Sequence, residues 1–329
     1  MKRILWIDIY KGILILLVML GHALQYSLKE GCFDSVLWNL IYSFHMPAFF
    51  AVSGIFAHSK IGDLKELGCV IWRRFRQLLI PMTCWQLLLD MTHFHSGFNP
   101  LKYLDCGSFW FLWALFFISM FYSLVCWLAQ RIKIKAIFLH VALAIVLFVI
   151  YVFLGYKKHG FHYIAYYYPY YVLGYYLYRS VKIQELKTWL LWAMAGLWFV
   201  LSLFWRMHGY PLYMSFLSFL PETLLVILNR YFVGCLAIIS LSGLAKRYLN
   251  KEGGLVNSAL TFLGTTSLAL YTIHVSLFEM GRIRSVQLIA NVYIEVALAF
   301  LIFLIVSVLV VSLVKKNKWT AMFLLGKIN

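Results

Sequence analysis

Lys11 and His22 are the pair of residues whose types and spacing most clearly point to chemistry. They stand eleven positions apart, which in an α-helix is about three turns with about 20° left over and a rise of about 16 Å. Both side chains therefore project from one face, with a cation near one end and an imidazole deeper in. Such a face could bind an anionic group and hold a general base in one cavity. The alternative is that Lys11 extends to the membrane surface and His22 bonds a backbone carbonyl.

His45 and His274 lie in two further apolar segments and are expected at a depth similar to that of His22. Pro47 follows His45 closely, and a proline interrupts the helical hydrogen bonds and opens backbone groups to a pocket. Alternatively, His45 satisfies that kink itself and has no chemical role. Closely spaced zinc ligands such as H-x-x-x-H with a carboxylate do not occur, so we expect no bound metal.

Asp8, Glu222 and Arg230 are secondary candidates, because a charged side chain in an apolar segment is unfavourable unless it faces a cavity or a partner. Asp8 lies at the predicted cytoplasmic edge of the first span, and Glu222 at the mouth of the eighth. For Arg230, a structural ion pair with Glu295 is preferred over a catalytic role.

The elements that must position these residues are membrane helices. Of the 329 residues 63% are hydrophobic and only 12% are charged, a composition that excludes an ordinary soluble domain. Apolar runs near the ~20 residues that cross a bilayer recur along the whole chain. We predict an all-α, polytopic integral membrane protein with about ten spans, near 10–28, 36–57, 77–91, 108–130, 136–155, 163–179, 188–206, 220–243, 257–280 and 286–314.

The chain has a net charge of +17, and alternate loops carry most of its basic residues. This distribution follows the positive-inside rule of membrane proteins and argues against nucleic acid as a partner. This alternation places the N-terminus and the C-terminus on the cytoplasmic side. The first apolar run lacks a small-x-small cleavage site and is predicted to be a retained helix. We predict a single membrane-embedded domain over residues 1–329, with no separate soluble domain.

Aromatic residues are abundant, at 19% of the chain. The run Tyr166-Tyr167-Tyr168-Pro169-Tyr170-Tyr171 could stack against a sugar. Packing in an interfacial aromatic belt is the preferred interpretation.

Several short motifs follow one another along the chain. They are Asp8 to Gly12 followed by His22, Phe44-His45-Met46-Pro47 with Ser53-Gly54, Arg73 with Arg76, Phe109 to Trp113, Tyr171 to Tyr175, and Ser267 to His274. Taken in order, these motifs resemble those of the acyltransferase-3 family of membrane proteins, particularly its sugar O-acetylases related to fucose 4-O-acetylase. The resemblance spans nearly the whole chain. The family more commonly has arginine where this chain has Lys11, which retains the charge but loses the bidentate fork.

This resemblance implies transfer of an acyl group, expected to be acetyl, from cytoplasmic acyl-CoA to a hydroxyl of an envelope polysaccharide or a lipid-linked sugar. Acyl-CoA would be a co-substrate, with no permanently bound cofactor. Lys11, Arg73 and Arg76 would bind its phosphates, and His22 would be the general base.

His45 or His274 would orient His22 or stabilise the oxyanion. An acetyl-histidine intermediate is the open alternative to direct transfer. Some members of the family carry an extra periplasmic esterase-like domain, which we do not expect in this protein. We therefore expect the chain to act alone or with separate partners in a bacterial inner membrane. A transporter or flippase of a small anion or lipid-linked sugar, and a membrane sensor, are the competing functions.

Overall fold

The computed structural model describes residues 4–92, 107–179, 186–206, 209–250, 253–284 and 291–326. Within these ranges every regular element is helical, as an apolar chain requires if its backbone groups are to bond internally in lipid. The α-helices are α1 (Leu5–Leu28), α2 (Val36–Tyr42), α3 (His45–Ile55), α4 (Leu64–Thr92), α5 (Trp110–Arg131), α6 (Ala136–Val152), α7 (Phe161–Arg179), α8 (Thr188–Leu203), α9 (Glu222–Tyr248), α10 (Leu255–Thr265), α11 (Ser267–Arg284), α12 (Val292–Val314) and α13 (Lys318–Leu325).

The predicted bundle of apolar helices is confirmed, whereas its count of about ten spans and the side of its termini stay predictions. In the described ranges, five segments are long and apolar enough to cross a membrane: α1, α2 with α3, α5 with the turn before it, α9 and α12. The pair α10 and α11, bent by 75°, is a sixth if it forms one broken span. Helices α6 and α8 are apolar but only 17 and 16 residues long.

Helix α4 corrects the predicted boundary of the third span. The sequence suggested a segment on the membrane surface that ends near Gln77, followed by a span over 77–91. The structure instead has one helix of 29 residues that continues through Pro81. The arginines at 73, 74 and 76 therefore project in different directions, because successive helical residues are rotated by about 100°.

Glycines allow two pairs of helices to approach closely. A Cβ atom at Gly54 of α3 would overlap the Tyr171 carbonyl of α7, and one at Gly12 of α1 would overlap the Leu260 carbonyl of α10. Small residues let membrane helices pack backbone to backbone. The second of these contacts holds the Lys11 end of α1 against the helix that precedes α11.

Helix α1 lies at the centre of the bundle and packs against α3, α9, α10, α11 and α12. Most of its residues are buried. Helix α12, by contrast, exposes an apolar face that includes Leu301, Ile305 and Leu309, as expected of a surface in contact with lipid. Lys11 and His22 are thus carried by a largely buried helix that contacts many of the others.

Candidate active site

One stripe of α1 lines two cavities. Lys11 and Ile15 line the first, which we call the Lys11 cavity, and His22 and Gln25 line the second, the His22 cavity. Val18 lines both. These residues follow one another at intervals of three or four, which keeps them on one helix face. Lys11 and His22 therefore share a face, as their spacing predicts, and each opens into its own cavity.

The Lys11 cavity has a volume of about 270 Å³ and is basic at one end. The Lys11 ammonium lies 3.0 Å from the Asp8 carboxylate and 5.9 Å from the centre of the Phe56 ring. Arg74 and Gln77 of α4 line the same cavity. The remainder of the wall is mainly apolar, with Ile15, Val18, Met46, Phe49, Val52, Phe111 and Leu115.

Arg74 lines the same cavity as Lys11. Arg73 and Arg76, the two arginines predicted for this site, are not among its lining residues. Arg73 donates a hydrogen bond of 3.1 Å to Nε2 of His58. The guanidinium carbon of Arg76 lies 5.8 Å from the centre of the Trp72 ring. Sequence reasoning missed Arg74, because nothing in the basic run shows which face of α4 meets the cavity until the neighbouring helices are in place.

The break between α10 and α11 opens onto the Lys11 cavity. Helix α11 begins at Ser267, and both Ser267 and Leu268 line that cavity. The first N–H groups of a helix have no partner within it and carry a partial positive charge. This helix start therefore brings N–H donors to the cavity that Lys11 and Arg74 also line.

His22 and His274 are joined by a hydrogen bond, with 3.0 Å between Nδ1 of His22 and Nε2 of His274. Nδ1 of His274 lies 2.7 Å from the Leu270 carbonyl oxygen. The His22 ring also stacks on Phe278, with 4.9 Å between ring centroids. His274 is fully buried and is not among the lining residues of either cavity, whereas His22 lines the His22 cavity.

His45 lines the His22 cavity and also stabilises a helix junction. Its Nδ1 lies 2.7 Å from the Ile41 carbonyl oxygen, so the ring closes the break between α2 and α3. Pro47 is in the first turn of α3, where its missing N–H would have no helical partner. His45 thus bonds a backbone carbonyl that the break leaves free, as one of the two interpretations of the sequence predicted. The same side chain also lines the His22 cavity.

The His22 cavity has a volume of about 230 Å³ and a wall rich in aromatic rings. Tyr166 and Tyr167 belong to this wall, so the interfacial-belt interpretation is wrong for these two. Trp110 stacks on Tyr163 at 4.3 Å and on Tyr167 at 5.5 Å between ring centroids. The other aromatic lining residues are Tyr42, Trp205 and Tyr271.

Arg230 also lines the His22 cavity. Its guanidinium carbon lies 5.1 Å from the centre of the Trp205 ring. The main partners of its helix α9 are α8, α1 and α3, whereas Glu295 is on α12, which packs on α1, α11 and α13. Arg230 is therefore a cavity residue, and its ion pair with Glu295 stays a prediction.

Asp8 and Glu222, the secondary acidic candidates, have different surroundings. Asp8 is buried and forms the ion pair with Lys11. Glu222 is exposed in the first turn of α9 and is not among the lining residues of either cavity. Among the described residues, no three His, Cys, Asp or Glu side chains are grouped so that they could hold a metal ion.

A family model described as an acyltransferase domain, Acyl_transf_3, matches residues 4–315. The chain belongs to this acyltransferase family. The resemblance of the sequence motifs is thus confirmed, and the region matched to the acyltransferase domain includes the lining residues of both cavities except Gly326.

Two nodulation proteins are similar to this acyltransferase-family chain. Nodulation protein NolL of Sinorhizobium fredii is 39% identical over 127 residues, which cover 35% of this chain and 34% of that protein. Nodulation protein NolL of Mesorhizobium japonicum is 33% identical over 164 residues, covering 44% of this chain and 43% of that protein. The chain thus aligns with less than half the length of either relative. No solved structure gives a significant match.

Proposed function

We propose that the protein is a membrane O-acyltransferase that moves an acetyl group from acyl-CoA to a hydroxyl of an envelope polysaccharide or a lipid-linked sugar. One observation carries the proposal: an imidazole that lines one cavity stands on the same helix face as the lysine of a basic cavity. Membership of the acyltransferase family favours this function over the transporter and the sensor. The membrane would be the cytoplasmic membrane of a bacterium.

The Lys11 cavity suits the acyl donor. Lys11, Arg74 and the start of α11 offer positive charge to phosphate oxygens, and the apolar wall beyond them suits the slender arm that carries the thioester. The rise from Lys11 to His22 is about 16 Å along α1. A donor bound by its phosphates at Lys11 would then present its thioester near His22, with the coenzyme on the cytoplasmic side.

The hydrogen bonds of His274 explain how His22 can act as a base. A carbonyl oxygen only accepts, so His274 donates from Nδ1 to Leu270. When both rings are neutral, Nε2 of His274 is then an acceptor, and Nδ1 of His22 must donate to it. Nε2 of His22 is left with its lone pair. His274 is thus a positioning residue that selects the tautomer of His22.

The proposed reaction is a direct transfer. Nε2 of His22 takes the proton of the acceptor hydroxyl as its oxygen attacks the thioester carbonyl. The carbon–sulfur bond then breaks, and the imidazolium returns the proton to the leaving thiolate. The products are the acetyl ester and free coenzyme A.

The His22 cavity suits a sugar as the acceptor. Its aromatic rings offer flat apolar faces for a sugar ring, while Gln25, His45 and Arg230 offer polar groups for hydroxyls. Pockets of this kind fix a ligand's orientation with a few polar groups in an apolar wall. The particular sugar and hydroxyl would be set by these contacts.

His22→Ala tests the proposal. We expect it to abolish acetylation of the native glycan, because the variant lacks the imidazole that is proposed to take the proton of the attacking hydroxyl, while expression and membrane insertion stay normal. The measurement is mass spectrometry of envelope glycans from cells that carry the wild-type or the variant gene, with loss of one acetyl group as the signal.

His159→Asn is a matched control, since His159 is exposed at a positive φ that asparagine tolerates. It should retain acetylation. Acetylation that persists in His22→Ala would refute the assignment of the base. Rapid quenching with radiolabelled acetyl-CoA and no acceptor should trap no labelled protein, since labelled protein would indicate an acetyl-histidine instead.

A further inference from the structure

Arg230 places a permanent positive charge in the wall of the His22 cavity. It stands eight residues after Glu222, where α9 begins, which is about 12 Å along the helix. A charged side chain at such a depth in a membrane span is unfavourable unless it faces a cavity or a partner. Arginine stays protonated in proteins. The charge of Arg230 therefore has to be explained by what this cavity binds or by what the residue holds in place.

Two contacts orient the guanidinium of Arg230. Its central carbon lies 5.1 Å from the centre of the Trp205 ring, and Trp205 is buried and lines the same cavity. One of its terminal nitrogens donates a long hydrogen bond of 3.5 Å to the carbonyl oxygen of Arg206. A guanidinium has five N–H groups in one plane, so it can bond the protein and a ligand at the same time. Holding one backbone carbonyl does not require a full charge.

The other residues of the wall indicate what a full charge would bind. Within the described ranges, the residues that line this cavity include no aspartate or glutamate. The hydroxyls of a neutral sugar can bond to Gln25, His45 and the tyrosines, and they gain little from a full charge. A carboxylate or a phosphate gains much more, because a guanidinium binds two of its oxygens at once.

Arg230 and His22 line one cavity of about 230 Å³, and their helices α9 and α1 pack against each other. A ligand that contacts both residues has to fit within this volume. The anionic group would then belong to the sugar that receives the acetyl group or would be attached directly to it. Its two chemical sources are the carboxylate of an acidic sugar and the phosphate on the anomeric carbon of a linked sugar.

We propose that the acceptor is anionic and that Arg230 binds its carboxylate or phosphate in the His22 cavity while His22 takes the proton of its hydroxyl. This inference rests on the proposed function. It goes further by giving the acceptor a negative charge and by assigning the recognition of that charge to Arg230.

Arg230→Gln tests the anion subsite. Purified full-length protein in liposomes is mixed with a membrane extract from a strain of the source organism that lacks the gene, and label is followed from radiolabelled acetyl-CoA into extracted glycan and glycolipid. When the extract is limiting, the initial rate should fall about tenfold or more, because a charge-assisted hydrogen bond is lost. The KM for acetyl-CoA should stay at the wild-type value. Arg230→Lys keeps the charge without the fork and should lower the rate by less.

Chemical treatment of the extract distinguishes the two anions. Amidation with a carbodiimide and methylamine neutralises the carboxylates of acidic sugars, whereas mild acid cleaves the bond between a sugar and its anomeric phosphate. The treatment that removes the bound anion should lower the wild-type rate about tenfold or more. It should change the rate of Arg230→Gln little, since this variant no longer binds that group. A selective loss after amidation identifies a carboxylate, and one after mild acid identifies a phosphate.

Arg131→Gln is the matched control. Arg131 is exposed at the end of α5, its guanidinium carbon lies 5.9 Å from the centre of the Trp127 ring, and it lines neither cavity. It should keep the wild-type rate with every extract. If Arg230→Gln does not elute as a monodisperse protein in gel filtration, Arg230→Lys carries the test, with a severalfold loss expected.

Two results would overturn the anion subsite. One is a folded Arg230 variant with the wild-type rate on the untreated extract. The other is that each treatment lowers the rates of the wild type and of the variant by the same factor. In both cases acetyl transfer by the wild type leaves the proposed function standing. Failure of the wild type to transfer acetyl from acetyl-CoA to any component of the extract would overturn both.

Discussion

At the residue scale, Arg74 is the cation of α4 that lines the Lys11 cavity, together with Gln77 and Leu78. Arg73 and Arg76 stand on other faces, one bonded to His58 and the other against Trp72. The three arginines have the same charge and lie within four positions of one another. Because they project from different faces of α4, only Arg74 of the three lines the Lys11 cavity.

Arg74→Ala should raise the KM for acetyl-CoA about tenfold and change kcat less, because a hydrogen bond to a charged group contributes about 1.5–3 kcal/mol. The measurement is steady-state transfer at varied acetyl-CoA. Arg76→Ala removes the same charge from the same helix and is the control, with a KM near the wild-type value. A larger effect of Arg76→Ala would support the motif-based assignment of Arg73 and Arg76 over the assignment of Arg74.

At the element scale, the contact of α3 with α7 holds His45 and Met46 where the cavities need them. Gly54 lies against the Tyr171 carbonyl, and Gly174 in return lies against the Ala51 carbonyl. Two glycines in reciprocal contact let the backbones touch, as small residues do in membrane bundles. The glycines of the Ser53-Gly54 motif and of the Tyr171 to Tyr175 motif are thus explained by the close packing of α3 on α7.

Gly54→Ala should destabilise the protein, because the new methyl group would overlap a backbone carbonyl that cannot move without shifting α7. Overpacking of this kind costs about 1–3 kcal/mol. A lower Tm in detergent, measured by the loss of monodisperse protein after heating, checks the prediction. Gly196→Ala in α8 is the control, since a Cβ there meets open space. Equal Tm values for the two variants would contradict the close contact.

At the scale of the whole molecule, the two cavities follow one another along α1, so the proposed donor and acceptor would lie at different depths of the bundle. Which side of the membrane each cavity faces depends on the number of spans. Helix α6 is a short candidate span, because its 17 residues reach about 26 Å, slightly less than the ~30 Å hydrocarbon core.

If α6 crosses the membrane, residues at its two ends should react from opposite sides. In a variant without native cysteines, Lys157→Cys should be labelled by an impermeant maleimide added to spheroplasts. Lys135→Cys should be labelled only after permeabilisation, because the basic loop is predicted to be cytoplasmic. Both positions are exposed, Lys135 directly before α6 and Lys157 in the loop that follows it. Labelling of both from the same side would reduce the number of spans and refute the predicted alternation.

The sequence predicted the all-helical bundle and the shared face of Lys11 and His22, because composition and helical periodicity are local properties. It also supplied the family resemblance through motifs that are contiguous in the chain. The limits of α4 could not be predicted in the same way. The basic run resembled a surface segment, and only its packing against α5, α11 and α13 makes it one helix with the residues that follow.

Only the tertiary structure decided which side chains meet. His274 is 252 positions from His22, and its pairing depends on α11 lying against α1. Tyr166 and Tyr167 face a cavity rather than an aromatic belt because α7 packs on α3 and α5. A helix's own sequence sets which residues share a face, whereas the neighbouring helices determine what that face contacts. The Lys11 and His22 pair and the candidate His274 were therefore visible in the sequence. The hydrogen bond between His274 and His22 and the position of Arg74 in the cavity wall were identified from the fold.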